Sequence, residues 1–160
     1  MIPPPFDYHA PKTLPEALAL LGQLGEEAKI LSGGQSLLPL LKLRFAQPGH
    51  LIDIGRIPGM DYIKEDGGFL RIGALVREAA LEANPLITSK YPILTDTAAV
   101  IADPIVRNLA TVCGNLAHGD PANDHPATML AIGAEVVATG PKGARTIPVA
   151  AELPHYRGPS

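Results

Sequence analysis

The chain has 160 residues, of which 46% are hydrophobic and 18% are charged, which argues against disorder and fits one domain or two small lobes. Its formal net charge is −3 and its basic residues are scattered, so we predict no nucleic-acid partner, because such proteins contact phosphates through basic patches. The single cysteine, Cys113, excludes an internal disulfide and any zinc or iron–sulfur site held by cysteines of this chain alone.

The first third of the chain alternates between strand and helix patterns. The predicted strands cover residues 6–9, 29–31 and 50–54. Thr13, with Glu16 three residues later, is typical of a capping box, and Gly25 is a typical helix end, so we predict a helix between them. Leucine spacing predicts a second helix over residues 37–45. The resulting β-α-β-(α)-β order predicts a first lobe of residues 1–55.

The pattern then changes and predicts a second lobe of residues 56–160. The turn signal Asp66-Gly67-Gly68 predicts a β-hairpin. The predicted strands of this lobe cover residues 62–65, 69–72 and 135–138, and a turn is predicted at 140–143. The predicted helices cover residues 78–83, 93–102 and 127–132. Residues 105–124 are predicted to be a long irregular stretch, and the fold class is therefore α+β.

Two glycine-centred loops contain the residues best suited to holding an anion. They are Ser32-Gly33-Gly34-Gln35-Ser36 and Thr111-Val112-Cys113-Gly114-Asn115. Glycine lets backbone N–H groups approach an anion, and the hydroxyls add donors. Either loop alone is more often a structural turn, but two in one small domain indicate opposite sides of a diphosphate site. Neither matches a P-loop, a Rossmann fingerprint or a nucleophile elbow, so we predict neither a Rossmann fold nor a serine hydrolase.

The segment from His118 to His125 has three interpretations. Asp120 or Asn123 would cap the helix that begins near Asp124. Alternatively, Asp124 would accept a hydrogen bond from a hydroxyl of a cofactor, because an ionised carboxylate is a strong acceptor. The third interpretation is a metal site, which would make the protein a small metal-binding hydrolase, although the spacing matches no zinc motif.

Cys113 has two interpretations. One is a small, buried loop residue. The other is a nucleophile activated by His118, which would require the two side chains to approach each other in space.

Residues flanking the two loops extend each into a longer motif. Residues 29–39 read KILSGGQSLLP, Arg107-Asn108 precede residues 111–118, and residues 120–124 continue the second motif. Both motifs resemble those of the FAD-binding medium subunit of molybdenum hydroxylases, the family that includes carbon monoxide dehydrogenase and the xanthine dehydrogenase group. The resemblance runs from about residue 3 to about residue 149.

The resemblance implies a two-lobed FAD-binding fold of the type shared by vanillyl-alcohol oxidase and carbon monoxide dehydrogenase flavoproteins. It implies that one side of the diphosphate is wrapped by Lys29, Ile30, Leu31, Ser32, Gly33, Gly34, Gln35 and Ser36. It implies that the other side is wrapped by Thr111, Val112, Cys113, Gly114 and Asn115. Ile101 would contact the flavin region, and Asp124 would bind the hydroxyl groups of the cofactor. No catalytic residue and no metal ligand is expected.

The resemblance also implies a place in a larger complex. Members of the family receive electrons from 2Fe-2S clusters on a small subunit, which a molybdopterin-containing large subunit supplies, and their FAD passes the electrons to an external acceptor. We therefore expect a flavoprotein oxidoreductase subunit that is inactive without these partners. The alternative is a flavin-free, non-catalytic remnant, and by itself the chain could form a homo-oligomer.

Two features depart from the family pattern. Cys113 stands where the family most often has a second glycine, so a positive φ there would cost about 1–3 kcal/mol. The family's subunit also continues into a further domain that covers part of the flavin, whereas residues 152–160 do not resemble that continuation. We therefore expect a truncated or frame-shifted product that binds FAD weakly or not at all.

We expect neither a membrane-spanning segment nor a signal peptide. The apolar run over residues 30–41 is too short to cross a bilayer, and the first twelve residues lack the basic and apolar regions of a signal peptide. We expect a cytoplasmic protein.

Overall fold

A computed structural model of the chain describes residues 2–152. The strands are β1 (Asp7–His9), β2 (Ala28–Leu31), β3 (His50–Asp53), β4 (Ile63–Asp66), β5 (Phe69–Ile72), β6 (Glu135–Gly140) and β7 (Gly143–Pro148). The α-helices are α1 (Leu14–Leu24), α2 (Leu37–Lys42), α3 (Glu78–Ala83), α4 (Pro85–Lys90), α5 (Pro92–Val100), α6 (Pro104–Arg107), α7 (Val112–His118), α8 (Asp124–Ala131) and α9 (Val149–Glu152). The α+β prediction is confirmed.

The first three strands form a parallel sheet in the order β1-β3-β2. Leu31 of β2 lies opposite Asp53 of β3, so both strands end at the same edge of the sheet. The predicted β-α-β-(α)-β order is therefore confirmed, and the loop that begins at Ser32 leaves the sheet at its carboxyl edge. In open α/β sheets this is the edge where ligands bind.

Helix α1 begins as its sequence predicts, with one change. Thr13 Oγ1 accepts a hydrogen bond from the backbone N of Glu16 at 3.3 Å, and Gly25 ends the helix at φ 57°. The Glu16 carboxylate accepts from the backbone N of Lys12 at 2.9 Å, one residue before the position that a capping box requires. The cap is therefore formed, with its reciprocal half shifted by one residue.

The remainder of the described chain contains two antiparallel hairpins and most of the helices. Strands β4 and β5 pair around Gly67 and Gly68, whose φ values of 60° and 81° fit the two-residue turn predicted there. Strands β6 and β7 form the second hairpin, around the predicted turn at residues 140–143.

Two hydrophobic clusters stabilise the fold. The smaller consists of Ala17, Ala28, Ile52 and Ile57. The larger consists of Val76, Leu81, Ile87, Leu94, Ala98, Val112, Met129 and Val149. Because Ile57 and the partly buried Met60 pack in the smaller cluster, its apolar contacts extend past residue 55. The division into lobes of residues 1–55 and 56–160 stays a prediction.

The predicted irregular stretch over residues 105–124 is wrong, because short polar caps begin two helices in it. Asp103 Oδ1 accepts from the backbone N of Val106 at 2.9 Å and begins α6. Thr111 Oγ1 accepts from the backbone N of Gly114 at 3.2 Å and begins α7. The second predicted loop is therefore the N-cap and first turns of a helix.

The helical backbone also removes the strain expected at Cys113. Within residues 2–152, the non-glycine residues with positive φ are Arg44 and Ala102, and Cys113 is not one of them. A cysteine in place of glycine therefore fits here without a left-handed conformation. None of the helices in the same part of the chain is long and apolar enough to span a membrane.

Candidate functional site

The two sequence motifs, far apart along the chain, meet in the folded structure. Ser32 Oγ lies 3.0 Å from Thr111 Oγ1, a hydrogen bond between residues 79 positions apart. Gly33 packs directly on the backbone before α7: a Cβ at this position would overlap the carbonyl oxygen of Leu109 and lie 2.9 Å from Cα of Ala110. Glycine is required here by the close approach of two backbone segments, and that approach brings the two motifs together.

Unpaired backbone donors distinguish the first loop. The N–H groups of Gly33, Gly34 and Gln35 have no hydrogen-bond acceptor in the part of the chain that the structure describes. All three residues are only half-buried, so a ligand can reach them. Gly34 has a φ of 77°, a conformation that glycine adopts without steric cost. Consecutive N–H donors around a left-handed residue form the concave backbone shape that binds anions, so these residues fit a diphosphate.

The carboxyl end of β3 supports the first loop from the side. The backbone N of Ile54 donates to Leu31 O at 2.9 Å, just before the loop. The Asp53 carboxylate accepts from the backbone N of Gly55 at 2.8 Å and from the Tyr8 hydroxyl. The hydrogen bond to Asp53 raises the pKa of Tyr8 above its ordinary value. These contacts fix the chain on both sides of the edge from which the loop projects.

Helix α3 holds the second motif in place through backbone contacts at its start. The backbone N of Glu78 donates to Ala110 O at 3.0 Å, and the backbone N of Val112 donates to Val76 O at 3.0 Å. Between them, Arg77 and Thr111 form an antiparallel bridge. The segment before α3 and the segment before α7 thus form a short ladder, which fixes Thr111 where Ser32 meets it.

The predicted site residues differ in exposure. Thr111 is 2%, Val112 1% and Ile101 6% exposed, so these side chains form the interior behind the site. Residues 31–36 and 113–115 are half-buried, and Lys29, Ile30 and Asp124 are exposed. Lys29, Ile30 and Leu31 lie in strand β2, before the loop itself.

Ile101 is held at the end of α5 by a partly buried arginine. The Arg107 guanidinium donates to Ile101 O at 3.1 Å and pairs with the Glu82 carboxylate at 2.9 Å. Ala102, the next residue, has a φ of 44°. The predicted flavin contact therefore lies in a sharp turn tied to α3 and α6.

The start of α8 packs against α7 through an asparagine side chain. Asn123 Nδ2 donates to the backbone O of Asn115 at 3.0 Å, which places the adjacent Asp124 beside the second motif.

The prediction that a side chain of Asp120 or Asn123 caps α8 is wrong. Asn123 is the N-cap residue without capping through its side chain, and Asp120 accepts from the backbone N of Ala122 at 2.8 Å. The Asp120 side chain closes the turn before the helix, whereas the Asn123 side chain bonds to α7.

The geometry disfavours a metal site in the segment from His118 to His125. His125 turns into the core, where its Nε2 lies 2.7 Å from Oε2 of Glu78 and both side chains are 0% exposed. Asp124 remains at the surface, and His118 Nε2 lies 3.9 Å from Asp120 Oδ2. Among residues 2–152, no three histidine, cysteine, aspartate or glutamate side chains are placed to hold a metal ion.

The environment of Cys113 disfavours a nucleophile. Burial, and secondly the charge of Glu78, raise the pKa of the Cys113 thiol to about 11. Its Sγ lies 3.9 Å from the backbone O of Gly73. Nucleophilic cysteines have lowered pKa values instead, because the thiolate is the reactive form.

Sequence reasoning missed two features of this region. Leu109 and Ala110 form the backbone surface on which Gly33 packs, and Glu78 pairs with His125 over a separation of 47 residues. Neither contact has a signal in sequence spacing. Glu78 stands in an ordinary amphipathic helix pattern, and His125 stands in a cluster that indicated metal ligands.

A family model described as "FAD binding domain in molybdopterin dehydrogenase" matches residues 4–158. The expected departure of residues 152–160 from the family is therefore wrong for residues 152–158. The carbon monoxide dehydrogenase medium chain of Hydrogenophaga pseudoflava is 55% identical over 148 residues, which are 92% of this chain and 52% of that protein. The corresponding medium chain of Afipia carboxidovorans is 45% identical over 158 residues, which are 99% of this chain and 54% of that protein.

A solved structure shows the same similarity. The structure of carbon monoxide dehydrogenase from Hydrogenophaga pseudoflava that lacks the Mo-pyranopterin moiety of the molybdenum cofactor matches with a TM-score of 0.93 and 54% identity. The match covers 96% of this chain and 53% of that one. This chain therefore spans about half the length of the relatives it matches.

Proposed function

Since this chain belongs to the family of FAD-binding domains of molybdopterin dehydrogenases, we propose that it binds FAD and serves as the electron-transfer flavoprotein of a molybdenum-containing hydroxylase or dehydrogenase. The observation that carries the proposal is the junction of Ser32 with Thr111, beside three unpaired backbone donors at Gly33, Gly34 and Gln35. Consecutive backbone donors of this kind form concavities that bind anions, and a diphosphate needs such donors.

Each part of the site has a distinct task in this proposal. The loop from Ser32 to Ser36 binds the diphosphate through backbone N–H groups and hydroxyls, following Lys29, Ile30 and Leu31 in the strand. Cys113, Gly114 and Asn115 face it from the other side. Thr111, Val112 and Ile101 shape the site from behind, because their side chains are nearly fully buried. Asp124 accepts a hydrogen bond from hydroxyl groups of the cofactor, for which its exposed carboxylate is suited.

The proposed partners are inferred from the relatives of this chain. The Hydrogenophaga and Afipia proteins are medium chains of carbon monoxide dehydrogenase. We infer that a molybdopterin large subunit and a 2Fe-2S small subunit deliver electrons to this chain. When bound, FAD supplies the redox centre that takes these electrons and passes them to an external acceptor. The chain itself holds the cofactor in position.

We propose the cytoplasm as the compartment, where a free thiol such as that of Cys113 stays reduced.

Titration of the purified chain with FAD tests the proposal. We expect quenching of flavin fluorescence and a saturable change in the flavin absorbance bands. Riboflavin, which has no phosphate, is the matched ligand control and should bind at least tenfold more weakly. ADP should compete with FAD, because it carries the same diphosphate.

The opposite results are equally informative. A folded chain that leaves FAD free would contradict the proposal and favour the flavin-free remnant. Binding of riboflavin with the affinity of FAD would contradict the role assigned to the diphosphate loops. Circular dichroism of the same sample establishes that the chain is folded.

A further inference from the structure

A fully buried pair of titratable side chains lies directly behind the proposed FAD site. Glu78 Oε2 and His125 Nε2 are 2.7 Å apart, and both side chains are 0% exposed. Glu78 is the first residue of α3, and His125 is the second residue of α8. The pair therefore connects two helix starts that are 47 residues apart in sequence.

Stability does not explain this pair. Glu78 Oε1 and His125 Nδ1 are buried without a hydrogen-bond partner among the described residues. A buried pair with half of its hydrogen-bonding capacity unused is costly, and apolar residues of similar size often give an equally stable or more stable protein. The pair has a directional hydrogen bond, which apolar residues lack. This hydrogen bond fixes the positions of the two side chains relative to each other.

The glutamate end of the pair leads to the second motif. The backbone N of Glu78 donates to Ala110 O at 3.0 Å. The preceding residue, Arg77, forms a β-bridge with Thr111, whose side chain contacts Ser32. The charge of Glu78 also reaches Cys113, where it contributes to the raised pKa of the thiol. A shift of Glu78 would therefore move the segment that joins the two motifs.

The histidine end leads to the start of α8. His125 follows Asp124, the proposed acceptor for hydroxyl groups of the cofactor, and Asn123 binds the backbone O of Asn115 at 3.0 Å. Because the His125 ring is anchored in the core, it restricts the position of the backbone of its neighbour Asp124 relative to α7. One buried contact thus links Thr111 and Asp124.

We propose that Glu78 and His125 are positioning residues that fix Asp124 relative to the Thr111–Asn115 segment and so hold the two contact regions of the FAD site in register. The inference rests on the proposed function and extends it to two residues that FAD does not touch. Their buried contact sets the affinity for the cofactor without contributing an atom to its binding surface.

The test replaces the pair by apolar residues and measures two properties separately. The double variant E78L/H125L removes the directional contact and retains a similar volume, so we expect a cooperative thermal transition close to that of the wild type. We expect its Kd for FAD to be at least tenfold weaker. The matched control is T128V, which removes a partly buried hydroxyl contact, 2.8 Å long, between Thr128 of the same helix α8 and Thr97 of α5. T128V should bind FAD within twofold of the wild type.

Each outcome decides the matter. A folded double variant with the wild-type Kd overturns the inference and leaves the proposed function intact, whereas a wild-type chain that does not bind FAD overturns both. Equal weakening in T128V would also overturn it, because any change in the packing of α8 would then suffice.

A measurement on the wild-type chain covers the case in which the double variant does not fold. Saturation with FAD should shift the ¹⁵N resonances of the His125 ring, although that ring has no exposed surface. Ring resonances that stay in place while the chain binds FAD would overturn the inference.

Discussion

Ser32 and Thr111 join the two halves of the candidate site through their hydroxyl groups, which lie 3.0 Å apart. Thr111 Oγ1 also accepts from the backbone N of Gly114 and so caps α7. One buried hydroxyl therefore both begins a helix and connects it to the loop that leaves the parallel sheet. The stability of the helix and the closure of the site depend on the same atom.

Replacing Thr111 by valine tests whether the hydroxyl group, rather than the shape of the side chain, is needed to cap α7 and to contact Ser32. T111V retains the volume but leaves the N–H of Gly114 without its acceptor, so we expect the free energy of unfolding to fall by about 1 kcal/mol. T111S retains the hydroxyl and should keep most of that stability. Urea unfolding followed by circular dichroism measures both. Wild-type stability in T111V together with a loss in T111S would show that the methyl group, and not the hydroxyl, is what matters.

Replacing Gly33 by alanine tests the close approach of the two backbone segments. The added Cβ would overlap Leu109 O, and backbone atoms cannot move aside as a flexible side chain can. We expect a loss of stability of about 1–3 kcal/mol and a Kd for FAD at least tenfold weaker.

Gly22 provides the matched control for this substitution. It lies within α1, where an added Cβ meets nothing within 4 Å, so G22A should stabilise the chain by about 0.5–1 kcal/mol. It should leave FAD affinity unchanged. If G33A binds FAD as tightly as G22A, the two motifs do not need to be this close.

Local patterns in the sequence predicted much of the fold. The cap at Thr13, the end of α1 at Gly25 and the turn at Gly67 and Gly68 are each confirmed, because each depends on neighbours within a few residues. The two motifs were also recognisable as short segments. Helix α7 was missed because its sequence, rich in small residues, looks irregular, and its cap is a single threonine.

Long-range contacts were not predictable in the same way. The pairing of Glu78 with His125 requires knowledge of where α3 and α8 meet, and no periodicity encodes that. The same holds for Leu109, whose carbonyl oxygen forces glycine at position 33. The folded structure is needed to show that apolar packing brings these segments together.

The raised pKa of Cys113 predicts an unreactive thiol. With a pKa of about 11, the thiol stays protonated at pH 8, so alkylation by iodoacetamide should be much slower in the native chain than in guanidinium. Rapid labelling of the folded protein would contradict this and would restore the interpretation of Cys113 as a nucleophile.

The same pKa predicts a dependence of stability on pH. Unfolding lowers the pKa of the thiol toward 9.0, so between pH 9 and 11 the folded state binds more protons than the unfolded state. This contribution to stability is present in full below pH 9 and is lost as the pH rises toward 11. Urea unfolding of the wild type and of C113A across this range measures it. We expect the difference in unfolding free energy to move in favour of C113A, and a constant difference would contradict the assignment.

Ala102 offers a route to a more stable chain. Its φ of 44° lies in the left-handed region, which costs an L-residue roughly 1–2 kcal/mol and glycine very little. A102G should therefore raise the free energy of unfolding, by about 1 kcal/mol after the greater entropy of the unfolded glycine is subtracted. The matched control is A99G, three residues earlier on the exposed surface of α5, which should lower stability by about 1 kcal/mol because glycine is a poor helix former. Thermal unfolding distinguishes the two variants by opposite shifts in Tm. A loss of stability in both would mean that Arg107, which binds the carbonyl oxygens of Ile101 and Ala102, already compensates for the strain in this turn.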